Sequence, residues 1–150
     1  MTIQTRIAAS FAAPLLLTAA ALPAAAQNYP LEPGDYVEMN GITLEDGGGF
    51  EYAKHLAGTW RKGQEFAKSK GWIKDYKILT NVNARDGEPD IYLVSVFSSQ
   101  PDAAEDKRRQ EAYRAMMKQT DAQMDTAAGD RAKFRKLKGS MLLRELVFVE

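Results

Sequence analysis

The sequence predicts an α+β domain, two helices on one face of a four-stranded antiparallel sheet, in the order β-α-β-β-α-β. Three observations carry this prediction. An amphipathic helix follows Phe50, stops at Gly71 and gives way to a strand beginning Trp72-Ile73. A polar Asp-Gly turn at 84–89 links that strand to an apolar run, Ile91–Phe97, as in a hairpin. A second helical pattern and a last apolar strand then repeat the strand–helix–strand unit.

The first 26 residues read as an export leader. Arg6 gives the positive n-region, Ile7–Leu22 the apolar stretch, and Pro23 precedes Ala24-Ala25-Ala26, which places cleavage near Ala26-Gln27. The mature protein is therefore expected in a periplasm or outside the cell. Ser10 and Pro14 interrupt an apolar run that is too short to span a bilayer, so the mature form is expected to have no membrane partner. Cleavage removes 26 of 150 residues and leaves 124, enough for one domain with a core. Only Arg6 is lost from the 20 basic and 20 acidic residues, giving 19 against 20. Such a balance supplies no long-range field for nucleic acid. With no cysteine, stability outside the cytoplasm rests on packing. Thiol nucleophiles, zinc–cysteine sites and disulfide exchange are excluded.

Residues 27–34, with Pro30 and Pro33-Gly34, read as an extended lead-in, and the single domain as 35–150. The first strand takes Asp35–Leu44, with Tyr36, Glu38, Asn40 and Ile42 on one side and Val37, Met39, Gly41 and Thr43 on the other. Gly47-Gly48-Gly49 reads as a flexible connector. It lacks the spaced glycines of a dinucleotide loop and the Lys-Ser/Thr pair of a P-loop. Along the first helix Tyr52, Leu56, Trp60, Gly63 and Phe66 share an arc, with Glu51, Lys54, Arg61, Lys62 and Glu65 opposite. That apolar arc needs a sheet or helix to cover it. The second strand is expected from Trp72 to about Val82. The third, Ile91–Phe97, is apolar at nearly every position, so both of its faces are expected to be buried.

Pro101 falls in the first turn of the second helix and Asp102 at its positive end. Tyr113, Met116, Met117, Thr120, Met124 and Ala127 then share one face up to Gly129. Their helical spacing marks the methionines as core rather than copper ligands. Asp106, Arg109 and Gln110 lie at the same azimuth, which projects the helix start past the core. Asp130–Leu137 is a basic extension ending at Gly139, and the last strand is Met141–Val149. Right-handed crossovers put both helices on one face, the ferredoxin-like arrangement. The last two strands remain apolar on both sides. A second copy packing sheet against sheet hides the open face, so a homodimer is expected.

These residues resemble the dimeric α/β-barrel superfamily, in particular its small exported uncharacterised bacterial members. The likeness lies in Tyr36-Val37-Glu38, Glu51-Tyr52, Trp60, Lys70-Gly71-Trp72-Ile73, Ile91-Tyr92 and Arg144-Glu145-Leu146. It implies a ferredoxin-like protomer whose sheet joins that of a partner in a barrel. The superfamily includes cofactor-free monooxygenases, haem-degrading enzymes, haem peroxidases and isomerases, so the likeness implies no single activity.

His55, the only histidine, sits at the edge of the helix arc and reads as a boundary residue. The haem ligand of haem-degrading relatives lies on the second helix instead. No spaced cluster of metal ligands is visible, and no cofactor is expected; haem alone stays open through the resemblance. Asn40 is the one catalytic candidate, since some relatives use an asparagine on the first strand beside a tryptophan. Asn40-Gly41 equally fits a strand irregularity. Three functions follow. The first is an exported dimeric small-molecule-binding or accessory protein, with Tyr36, Asn40, Trp60, Tyr92 and Tyr113 lining a pocket for an apolar or aromatic ligand. The second is a cofactor-independent monooxygenase-like or haem-handling enzyme using Asn40. The third is an interaction scaffold using the basic segment 131–138.

Overall fold

Strand alternation, extended further than the apolar pattern implies, sets the frame. In the computed structural model, which describes residues 29–149, β1 runs over Leu31–Leu44. The leader read over residues 1–26 and its cleavage point lie outside the described residues. Leu31, Glu32 and Pro33 are not a lead-in but part of β1, paired with Phe148, Val147 and Leu146 of β4 (Arg135–Phe148). A register shift between Pro33 and Tyr36 lets a proline stand in this ladder.

The first helix is one rod of α1 (Gly49–His55), a π-helical turn (Leu56–Trp60) and α2 (Arg61–Ser69). Gly71, at φ +70°, ends it: the Gly71 N–H donates to the Lys68 carbonyl and the Trp72 N–H to that of Ala67, both at 3.0 Å. Trp72 is thereby tied to the helix end, and β2 begins late, as Asp75–Thr80. β3 is Ile91–Phe97, as expected. In the turn between them, the Arg85 N–H and guanidinium hold the Glu88 carboxyl down to about 2, with help from Asn81.

The second helix is two helices. α3 (Ala103–Met117) starts on Asp102, whose carboxylate accepts from the Glu105 N–H at 2.7 Å, so Pro101 lies before the cap rather than in the first turn. Lys118 closes α3 in the left-handed conformation, at φ 55°. Thr120 and Gln123 then form a capping box that opens α4 (Asp121–Asp130). Of the basic segment 131–138, Arg131–Lys133 form a 3-10 turn, and Arg135, Lys136 and Lys138 already belong to β4.

The four strands form one antiparallel sheet in the order β2-β3-β1-β4. Ile42 and Leu93 meet Tyr52 and Leu56 in a small buried core, with Leu44, Trp60, Ile91 and Phe134 around it. Trp60 stands edge-on to Tyr76 at 5.4 Å, and the Ser95 hydroxyl donates to the Gln64 carbonyl at 3.2 Å. Alternation therefore puts Tyr36, Glu38, Asn40 and Ile42 on the helix side, as the sequence pattern predicts. The opposite face carries Val37, Met39, Leu79, Tyr92, Val94, Val96, Met141 and Leu143, and no helix among the described residues lies over it. Of these Val94, in the central part of the sheet, is buried, while Leu79, Met141 and Leu143 are 42%, 47% and 47% exposed.

One glycine of the Gly47-Gly48-Gly49 run is a packing contact, not a flexible joint. A Cβ on Gly48 would stand 2.4 Å from the Phe134 carbonyl oxygen, and that backbone is held by the Glu45 N–H at 3.1 Å. A Cβ on Gly49 would meet only Leu44, at 3.8 Å. Gly48→Ala is expected to cost about 2 kcal/mol through overpacking, and Gly49→Ala close to nothing. Urea midpoints that shift equally for the two variants would contradict this contact.

Candidate functional site

Neither α3 nor α4 contains a fully buried residue. The large apolar groups of their packed side, Tyr113, Met116, Met117 and Met124, are only half-buried, and three hollows lie beside the two helices, one of about 360 Å³ being lined by Trp72, Arg109, Tyr113, Arg114, Asp121 and Met124. The sheet-side chamber has a volume of about 430 Å³. Glu38, Ser95, Phe97 and Leu142 form its sheet wall, Gln64 and Ala67 come from α2, and Trp72 closes one side. Asp106 and Arg109 enter from α3.

The polar beginning of the second helix thus has a place. Asp106 and Arg109 do not project past the core; they line this chamber. Arg109 Nε donates to Glu105 at 2.8 Å, and its guanidinium lies 5.4 Å from the Trp72 ring centre. Arg109 and Arg108 hold the Glu105 carboxyl below its ordinary range. Asp106 accepts from the Gln110 amide at 2.8 Å. Glu38, half-buried, enters no ion pair among the described residues.

An outer chamber of about 320 Å³ lies between the first rod and the α3–α4 pair. His55, Thr59 and Trp60 line one side; Tyr113, Met117, Met124, Ala127 and Arg131 the other. Thr59 and Trp60 belong to the π turn, a distortion common at functional positions because it re-aims side chains within a helix. Arg131 Nη1 donates to the Ala127 carbonyl at 2.8 Å. Burial pushes the Tyr113 hydroxyl up and the Arg131 guanidinium down, the latter helped by Arg135.

His55 stacks on Tyr52 at 5.8 Å. Burial lowers its pKa below 6.5, and the Arg131 and Arg135 cations add to the effect. The unfolded chain then takes up the proton first. Stability from this group is present above pH 6.5 and falls as pH drops through 6.5 toward the lower folded value. His55→Gln is expected to flatten the thermal-stability profile across that window. A profile whose slope is the same in both proteins would show that His55 is not its source.

Of the five residues expected to line one pocket, the structure brings together Trp60 and Tyr113, in the outer chamber. Tyr36 lies near one end of the sheet, stacked on Phe97 at 5.7 Å with the Arg144 guanidinium 4.6 Å from its ring centre. Asn40 faces the helices between Leu93 and Ser140 but lines neither chamber. The β1–β4 register shifts between Asn40 and Ile42, and a Cβ on Gly41 would meet Pro89 at 2.6 Å, which favours the strand-irregularity reading of this pair. Tyr92 points the other way from Ile91 and Leu93. It lines a hollow of about 240 Å³ with Met39, Pro89 and Met141 on the open face. The chamber residues Glu38, Gln64, Ser95, Asp106 and Arg109 were the ones missed. For Glu38, Asp106 and Arg109 the signal was present in the strand alternation and the helix azimuth.

The basic segment is partly neutralised, with Lys133 paired to Asp130 at 2.9 Å and Lys136 to Glu45 at 2.8 Å. Among the described residues no group of three or more His, Asp or Glu is placed to hold a metal. No helix among them is long and apolar enough to cross a membrane. No protein-family model, no curated protein and no solved structure matches the chain.

Proposed function

We propose that this is an exported, homodimeric protein that binds a small molecule in the sheet-side chamber, with a ferredoxin-like protomer of the dimeric α/β-barrel kind. The observation that carries the binding role is the hollow of about 430 Å³ between sheet and helices, with aromatic walls and a few polar groups. Trp72 and Phe97 offer flat apolar surface, while Glu38, Gln64 and Arg109 supply direction. Because Glu38 joins no ion pair among the described residues, the ligand that suits the chamber has an apolar or aromatic body and a donor or cationic head. The strand order and the uncovered apolar face support the paired-sheet protomer. Export rests on the leader composition of residues 1–26.

A thermal-shift screen across amines, aromatic metabolites and haemin tests the binding role. Hits are expected to raise Tm by several degrees in the native protein. They are expected to lose that effect in Ala67→Trp, which fills the chamber from the helix side. A screen without hits, or hits that stabilise the filled variant equally, would count against the sheet-side chamber as the binding site.

A further inference from the structure

We propose that the outer chamber is a separate binding site for a small aromatic carboxylate, with the carboxylate held by Arg131 and the ring lying between Trp60 and Met124. This does not depend on what occupies the sheet-side chamber. Arg131 is half-buried and joins no ion pair among the described residues. Its neighbour Asp130 is engaged by Lys133 at 2.9 Å. One guanidinium nitrogen caps the Ala127 carbonyl at 2.8 Å, which leaves other donors of the planar fork for a ligand.

The lining of this chamber contains no carboxylate. The charged groups that act on His55 are Arg131 and Arg135, and those that act on Arg131 are Arg135 and the phenols Tyr52 and Tyr113. The site is therefore electropositive without an internal counter-charge, an arrangement that costs free energy until an anion enters. The ligand's charge follows from the count. A single half-buried fork beside an uncharged imidazole balances a monoanion, and the remaining lining is aromatic, thioether or methyl apart from the Thr59 hydroxyl and the Gln119 amide. Trp60 and Tyr113 give stacking surface, and Met117 and Met124 adapt to a ring edge. A phosphate dianion would bring a second charge that no second cation of this lining meets.

The single histidine makes the test direct. In protein prepared without a polyhistidine tag, the imidazole proton resonance of His55 is followed through a pH titration with benzoate, its neutral twin benzamide, or inorganic phosphate. Benzoate beside Arg131 is expected to raise the His55 midpoint, and benzamide to leave it in place. Phosphate is expected to act only at roughly tenfold higher concentration. Arg131→Gln, with folding checked by circular dichroism, is expected to abolish the benzoate effect. The proposal is overturned if benzoate leaves the native midpoint unmoved, if phosphate acts as well as benzoate, or if folded Arg131→Gln responds like the native protein.

Discussion

Ile42→Ala is expected to destabilise the protein by about 3 kcal/mol and lower Tm on the order of 10 °C. Ile42 is 1% exposed and touches the cluster through which β1 and β3 hold the first helix. The fully buried apolar set among the described residues is small: Ile42, Tyr52, Leu56, Leu93 and Val94. The residues packed around this cluster, Leu44, Trp60, Ile91 and Phe134, can relax only in part into a cavity at Ile42, which places the cost inside the range for such truncations. Ile78 lies on the same side of the sheet in the edge strand but is 45% exposed, so Ile78→Ala is expected to cost less than about 1 kcal/mol. Chemical denaturation of the two variants compares them directly. Equal losses would mean that the core is not centred where β1 and β3 meet the first helix.

The proposed sheet-to-sheet dimer predicts that Leu143→Lys is a folded monomer. Leu143 pairs with Val37, next to the Met39–Met141 pair, in the apolar centre of the open face. Asp75, Lys77, Lys136 and Glu145 stand toward the margins of that face, the apolar-centre, polar-rim pattern of an interface. Because Leu143 is 47% exposed in the single chain, a lysine costs the isolated protomer little. At a sheet-to-sheet contact the same lysine would be buried twice, once from each copy, with only Glu145 of its own strand as an acidic neighbour. Size-exclusion chromatography with light scattering reads the outcome. An unchanged mass for Leu143→Lys would place the contact elsewhere, and a variant that fails to fold by circular dichroism would mean that Leu143 already belongs to the protomer's own core.

Most of the fold was legible because it rests on short-range chemistry. The Tyr52–Leu56–Trp60 arc, the Gly71 stop and the Tyr36–Ile42 alternation all survive in the structure. What escaped was set by competition or by distance. Thr120-Asp121-Ala122-Gln123 is a capping box written in the sequence, yet the methionine spacing around it hides the break between α3 and α4. The early start of β4, where Arg135 pairs with Leu44, and the pairing of Leu31 with Phe148 join positions 91 and 117 apart in the chain, which no local pattern encodes. The same holds for Gly48, whose need for glycine comes from Phe134. Among the site residues, Tyr92 was separable by alternation, since Ile91 and Leu93 cannot point inward with it. Glu38, Asp106 and Arg109 were visible as oddly placed charges. Only the hollow beside the helices turns them into a chamber wall.

Sedimentation equilibrium of residues 27–150, run from nanomolar to tens of micromolar, tests most directly whether a second copy covers the open sheet face. A mass twice that of this chain over the upper part of the range, falling toward the single-chain value on dilution, is the predicted result. A single-chain mass at every concentration would contradict it.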